Sequence, residues 1–533
     1  MQRADPMADV ARLSQHEEPQ VVVIGAGVAG LSAALTLAEA GLAPLVLEAD
    51  PDFCGGRLRE QPPSEFEYEG RRWSFTGEHG IHGFWSQYNN LRALLDRFGI
   101  DPPLVWGLRQ AWVYAEGGSV SQAEVGRRLR RSPLPAPFHF LSLLNDPGFL
   151  RMLGPIGLLR IPWVGIGLVT MLAIDPMKER DLVRNMYVRD FLFGWPDMLR
   201  AFAGALSRSG LSTGSEEVPI SGFIALFRFY ALLRRDAVGF QHLRGDPGAS
   251  IIDPMLAALN KHGGRVVQGV GVTQLERRED GTWTVCWSER SNATGGEIRA
   301  EDVVLAVDAS SARQLLSASP QLAPQAAAMA FPEGRATASV RLWFRTAPLT
   351  EAEGGMFGGD FILDNFFWLH MFQDAFIDWH QKTGGSAVEC HIYGPPDLLE
   401  QTDATLLAIA VRDVVKAFPE LRGQLVHGAL QRNPATHTLF YIGAASRHLG
   451  VVTPWPGLYC CGDWVRLDTP SLFLERSCVT GITAANEVLT VRGKPPAPLL
   501  AYPPTERTAA ILEVALRDVR RVFEAAARLV VSR

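Results

Sequence analysis

An apolar run from Val21 to Ile24 leads directly into Gly25-x-Gly27-x-x-Gly30, and good helix formers follow from Leu31 to Ala40, with Gly41 at the expected C-cap. This order constrains the fold more than any other feature of the chain. Gly25 permits a tight turn out of a strand, Gly27 lets backbone amides approach a pyrophosphate, and Gly30 lets the helix pack close to the sheet. The helix start then offers partial positive charge to phosphates. Leu45 to Leu47 reads as a second buried strand, and Glu48 ends it. An acid roughly 20 residues beyond the glycines is placed to accept hydrogen bonds from adenosine ribose hydroxyls and to repel a 2′-phosphate. Strand, triplet, helix, strand and acid together predict a dinucleotide cradle, suited so far to either a nicotinamide or a flavin cofactor.

Further motifs narrow the choice. Gly55-Gly56-Arg57 lets the chain pass close to a ligand and sets a positive fork against a pyrophosphate, or else forms a surface turn with a solvated arginine. Near the chain end, Gly457 to Cys461 reads as a short strand running into Gly462-Asp463, followed by Pro470 and a helical segment from Leu472 to Asn486. Between them, residues 264–276 alternate as a strand does, and Asp302 to Val307 reads as another. In this order the motifs resemble the FAD-dependent amine oxidase and carotenoid (phytoene) desaturase superfamily.

The resemblance implies an α/β fold: a discontinuous Rossmann-like FAD-binding domain of the GR2 type, with an α+β substrate domain built from inserts. It implies FAD as the cofactor. Gly25, Gly27, Ala29, Gly30, Gly56 and Arg57 would attend the phosphates, Glu48 the ribose, and the Val272 backbone the adenine. Asp463, after Gly462, would bind the ribityl hydroxyls. The helix that follows, with Arg476 and Ser477, would aim its amides at the pyrimidine end of the flavin, where reduced flavin carries negative charge. Gly80, Ile81 and His82 lie in the loop whose backbone meets the isoalloxazine ring in that superfamily.

A chain of 533 residues exceeds one ordinary core, and 47% hydrophobic with 20% charged residues is a globular composition. The motifs separate into blocks 19–110, 240–330 and 450–495, expected to assemble the FAD-binding domain. The substrate domain is then expected from 111–239, which reads mainly helical, and from 331–449, with candidate strands at 336–345 and 387–393 and an aromatic-rich stretch at 361–376. Residues 1–18 read as a polar tail without the ~7–15-residue apolar core of a signal peptide. The apolar segment 133–174 is interrupted by Asp146, Arg151 and Arg160, and its charge-free part, 161–174, is shorter than the ~20 residues of a membrane span. It is either a core helix pair or a surface that dips into lipid. Within the last part of the chain, 500–533, a C-terminal amphipathic helix is expected, with Leu512, Leu516, Val519, Phe523, Ala526 and Val530 on one face and Arg507, Arg517, Arg521 and Arg528 elsewhere. It either lies on an anionic membrane or packs on the flavin domain.

The net charge of -6 gives no electrostatic case for nucleic acid. Six cysteines without a Cys-x-x-Cys pair fit neither a disulfide framework nor a zinc site, so no metal is expected, and buried thiols in a reducing cytoplasm are. The expected location is cytoplasmic, with peripheral contact at the inner face of the cytoplasmic membrane as its extension.

For the substrate, the informative stretch runs from Gly77 to Gly99. His82-Gly83-Phe84-Trp85, Tyr88-Asn89-Asn90-Leu91-Arg92 and the later Leu474-Glu475-Arg476 resemble, more narrowly, bacterial carotenoid desaturases of the isorenieratene synthase (β-carotene desaturase/methyltransferase) type. This implies desaturation of a long apolar isoprenoid by hydride transfer to flavin N5, with quinone or dioxygen as the later electron acceptor. A dry site is then needed against the ring, and the aromatic and aliphatic inserts can line one. The scaffold also admits polyene isomerisation, hydroxysqualene dehydroxylation and amine or amino-acid oxidation. Amine oxidases of the superfamily commonly place a lysine-linked water near the flavin, yet only Lys178, Lys261, Lys382, Lys416 and Lys494 occur here, none in an obvious strand facing it. A binding protein without turnover has no positive sign. His82, with His79, serves either as acid or base near the ring or only as a hydrogen-bonding part of the flavin loop. Glu475 is either a proton acceptor in the pocket or a carboxylate stabilising its own helix start.

Overall fold

The computed structural model describes residues 19–179, 182–183, 185–289, 295–438 and 447–531. The expected tail at 1–18 lies outside them. Val21–Ile24 is the middle of a five-stranded parallel sheet in the order Arg265–Val267, Leu45–Leu47, Val21–Ile24, Asp302–Leu305, Leu458–Cys460. The central strands read as uninterrupted apolar runs because they are buried on both faces, as parallel strands are. On one face the helix Val28–Glu39 packs against the helix Phe473–Val491. Their approach is close: a Cβ at Gly481 would fall against the carbonyl of Ala29. Five strands from three separated stretches of chain thus make one layer.

The stretch 264–276 is two strands rather than one. Arg265–Val267 joins the parallel sheet, the chain turns at Gly269 with φ +76°, and Val270–Arg277 enters an antiparallel sheet with Trp283–Glu289 and Gly295–Ala300. Alternation continues across the break, so the pattern alone hides it.

A seven-stranded mixed sheet faces the parallel one across the cavity described below. Its order is Leu425–Thr438, Gly334–Phe344, Ser386–Ile392, Asn365–Trp368, Gly354–Gly359, Gln110–Glu116, Ser119–Glu124, with only the pairing of Gly354–Gly359 and Gln110–Glu116 parallel. The mainly helical reading of 111–239 therefore needs correcting at its start, where two strands complete this sheet before helices take over from Gly126. A further small sheet joins Gly83–Trp85, Phe240–Leu243 and Leu104–Gly107, so the loop expected to feed the helix Asn89–Arg97 carries a short strand of its own.

Among the described residues no single helix is long and apolar enough to cross a membrane; Pro147–Leu159 and Ile161–Ala173 form a pair bent by 92°. The C-terminal helix Arg507–Val531 packs on the second of these, not on the five-stranded parallel sheet. Leu512 and Leu516 face the protein, Glu513 pairs with Arg228, and Arg520 donates to the Ala173 carbonyl at 3.2 Å.

Candidate active site

A cavity of about 1030 Å³ opens where the parallel strands end, at the upper limit of the ~300–1,000 Å³ usual for small-molecule sites. Parallel sheets bind ligands beyond their carboxyl ends, because loops and helix starts converge there. One wall is made by Gly25, Gly27 and Ala29, by Glu48, by Gly56 and Arg57, by Val272, and by Gly462, Asp463 and Ser477. The opposite wall comes from the seven-stranded sheet through Thr337, Asn365, Phe367, His391, Tyr393 and Asn433. Gly80, Ile81 and His82 lie between.

The cradle is tightly built. Gly25 has φ +104°, and a Cβ there would meet the Ala306 carbonyl at 2.7 Å. Gly30 does not line the cavity; a Cβ on it would strike the Gly25 carbonyl, so its hydrogen lets the helix sit on the turn. Glu48 accepts from the Ala26 amide at 2.8 Å and the Asp50 amide at 2.9 Å, which fixes its carboxylate at the strand end. Arg57 pairs with Asp463 and donates to the Thr436 carbonyl at 3.2 Å, linking the two nucleotide motifs to the second sheet.

The loop from His79 to His82 is fastened to the second sheet from both sides. Asn433 donates to the His79 carbonyl at 2.7 Å, and the Ile81 amide donates to Glu389 at 2.8 Å. Glu389 is fully buried, which alone would raise its pKa; the Arg341 guanidinium, 2.6 Å away, and His391 outweigh this and hold it down to about 2. Burial lowers His79 well below the ordinary histidine value, and Arg57 adds to this. His79 Nε2 and His82 Nδ1 are buried at the cavity with no hydrogen-bond partner among the described residues. Such atoms fit a polar ligand edge, since leaving them dry costs roughly 1–3 kcal/mol each.

Besides Gly30, two expected site residues stand outside the cavity. Glu475 is fully buried and lies outside the cavity; its carboxylate accepts from the amides of Asn90 and Leu91, each at 3.0 Å, and from the Asn90 side chain at 2.9 Å. It therefore stabilises a helix start, but that of Asn89–Arg97 rather than its own, and is not a proton acceptor in the pocket. Arg476 points away from the main cavity and donates to the carbonyls of Val465, Leu467, Thr469 and Ser471, stapling the loop after Asp463. The helix start instead presents Phe473, Leu474 and Ser477 to the cavity.

The residues of the second sheet that line the site were missed in the sequence, although one signal exists. Glu389 and His391 in the strand Ser386–Ile392 and Tyr393 just beyond it recur at every second position, so three polar side chains share one face, buried at the first two.

The sequence matches the family described as flavin containing amine oxidoreductase over residues 28–489. The chain belongs to this family. Its cofactor is FAD, and it is an FAD-dependent oxidoreductase. Among curated relatives, carotenoid phi-ring synthase of Streptomyces griseus is 28% identical over 94% of this chain and 93% of its own length. The 15-cis-phytoene desaturase of Capsicum annuum is 22% identical over 84% of this chain and 74% of its own. Among solved structures, cyclohexylamine oxidase from Brevibacterium oxydans IH-35A superposes with a TM-score of 0.62 at 15% identity, covering 90% of this chain and all of that one. That likeness establishes the shared flavoprotein fold, α/β and Rossmann-like.

Proposed function

We propose that this flavoenzyme desaturates a carotenoid or a closely related long isoprenoid. The observation that carries the reading is the near full-length similarity to a carotenoid phi-ring synthase. The site is consistent with it. None of the five lysines lines the cavity, so the lysine-linked water common among amine oxidases of the family has no counterpart there. Trp85, Leu206, Leu226, Phe240 and Phe367 supply apolar lining.

In this reading Gly27, Gly56 and Arg57 would hold the pyrophosphate of FAD, Glu48 its ribose and Asp463 its ribityl chain, and Gly80 and Ile81 would meet its ring. Bound there, FAD supplies a two-electron hydride acceptor. The chain holds it, keeps water out with the second sheet, and places the substrate against the ring.

Anaerobic mixing of the holoenzyme with a panel of carotenoids, squalene derivatives and amines tests the reading. Carotenoids are expected to bleach the flavin absorbance; bleaching by amines alone would replace this reading with amine oxidation.

The substrate is taken from a lipid surface. The bent helix pair and its surroundings expose Leu159 (81%), Phe193 (78%), Ile156 and Trp163, and the C-terminal helix beside them exposes Val522 and Phe523 (71%). So large an apolar face suits a bilayer, and Arg521 of the C-terminal helix, with Arg189 and Arg200 of the helices Val188–Phe191 and Asp197–Leu211, stands exposed, each beside a carboxylate. The protein is expected to float with vesicles containing anionic lipid. Leu159→Glu/Phe193→Glu, both at exposed positions, should abolish flotation with FAD content unchanged; retained flotation would remove this face from the membrane role.

A further inference from the structure

Desaturation removes two hydrogens, and the reading above accounts for one. One C–H gives up its hydrogen with the bonding pair, a hydride that bound FAD would accept, and in the same event the neighbouring carbon must lose a proton as its C–H electrons become the new double bond. Glu475 stands outside the cavity and cannot take that proton. The second sheet offers another group.

The geometry points to Tyr393 as the proton acceptor, backed by His391 and Glu389 as positioning residues. Tyr393 lines the cavity, and its hydroxyl lies 3.1 Å from His391 Nδ1. His391 Nε2 in turn lies 2.7 Å from Glu389 Oε1. Glu389 is an anion in the fold, so it accepts from Nε2–H; the imidazole is then left with Nδ1 as its acceptor, and Tyr393 donates to it. The sequence of transfers follows. The substrate proton passes to Tyr393 Oη while the Tyr393 proton passes to His391 Nδ1, so the phenol is regenerated in the same event. The positive charge comes to rest on His391, against the Glu389 carboxylate, and leaves with product release.

Burial keeps Tyr393 from ionising by itself, because its pKa is pushed well up; handing its proton to His391 avoids a free phenolate. The charged groups around the relay sort into two sets. Glu389 and Asp364, the latter 2.9 Å from the Tyr393 amide, favour an imidazolium; Arg341, on Glu389, and the neighbouring His79 and His437 oppose it. Glu389 also accepts from Ile81 of the flavin loop, so the relay and the ring-contacting backbone share one carboxylate. His391 sits against Gly80, where a Cβ would lie 3.1 Å from Nε2.

The relay rests on the carotenoid reading, and the experiment separates the two. Holoenzyme and Tyr393→Phe are mixed anaerobically with a carotenoid that bleaches the wild type, and the bleaching rate is followed against pH. Tyr393→Phe removes one oxygen and is expected to retain FAD while bleaching ~10²-fold more slowly, within the usual ~10²–10⁴ contribution of general base catalysis, and to lose the pH dependence that the wild type shows. A rate within about threefold of wild type with an unchanged pH profile overturns the relay alone, as does loss of FAD from the variant, which would make Tyr393 part of the cofactor wall. A wild type that no carotenoid bleaches overturns the functional reading and the relay with it. Nitrogen-15 histidine resonances of the oxidised holoenzyme give a readout without turnover: His391 is expected to carry its proton on Nε2, and a proton on Nδ1 overturns the proposal, because Tyr393 could not donate there.

Discussion

Gly27→Val is expected to yield a folded protein that purifies without FAD. The expectation rests on what surrounds the position. A Cβ at Gly27 would meet only the Gly56 Cα, at 3.9 Å, which is ordinary contact, so nothing in the polypeptide resists the change. The gap between these two glycines is the place assigned to the pyrophosphate, and two methyl groups would fill it. Gly30→Val differs in kind: its Cβ would strike the Gly25 carbonyl, so the helix would have to lift off the sheet. The Gly27 variant should therefore show wild-type circular dichroism, a flavin-to-protein absorbance ratio near zero, and a melting temperature lowered only by the missing ligand. Stabilisation by a ligand at 1,000 times its dissociation constant is about 4 kcal/mol, which sets the size of that drop. Glu48→Ala, which removes one polar contact and blocks nothing, should weaken retention far less. Full FAD content in the Gly27 variant would refute the placement of the cofactor.

The contrast between these glycines shows which parts of the site can be read from sequence. A backbone that must approach a phosphate or turn within one residue leaves almost no choice of side chain, so Gly25, Gly27, Gly56 and Gly462 appear as local, ordered signals. Glu48 and Arg57 are legible for a related reason, since each sits at a fixed offset from such a glycine. The parallel sheet follows, because strands buried on both faces must be apolar throughout.

The second sheet is harder to read. Gly354–Gly359 is rich in glycine and looks like a turn, yet it holds a central place because a side chain at Gly355 would strike the Ala111 carbonyl of its neighbour. Leu425–Thr438 is long but largely half-buried, so its alternation is weak. Charged residues mislead in a different way. Glu475 and Arg476 lie beside the cofactor motif in sequence, but helical geometry turns them from the cavity, where one caps a neighbouring helix and the other holds a loop. Nearness along the chain is a poor guide when direction changes by about 100° per residue, as 3.6 residues per turn require. The converse holds for Glu389, His391 and Tyr393, which lie far from any flavin motif and become neighbours of the loop at Gly80 only through long-range pairing.

Four other buried imidazoles predict a steep loss of stability in mild acid. Burial holds His242 down to about 3, and His139, His370 and His437 each to about 4. A histidine in an unfolded chain titrates near 6.5, so between about 4 and 6.5 the unfolded state binds more protons than the fold. Stability from this source is complete above pH ~6.5 and falls as pH drops through the window, by about 1.4 kcal/mol per pH unit for each proton. Four such groups outweigh most single interactions in the molecule. Burial raises Glu475 and Asp364, which act with the opposite sign, and Glu389, held down to about 2 by Arg341 and His391, adds to the loss at the acid end. His242 isolates one contribution: it is fully buried, stacks on Phe372 at 4.0 Å, and neither ring nitrogen has a hydrogen-bond partner among the described residues. His242→Leu gives up no hydrogen bond there and cannot take up a proton in either state. With FAD held saturating, denaturant unfolding of the wild type from pH 7.5 to 5 should show a strong decline, and His242→Leu a decline shallower by about one proton, or about 1.4 kcal/mol per pH unit. Parallel curves for the two proteins would mean that His242 is not a neutral buried imidazole in the fold.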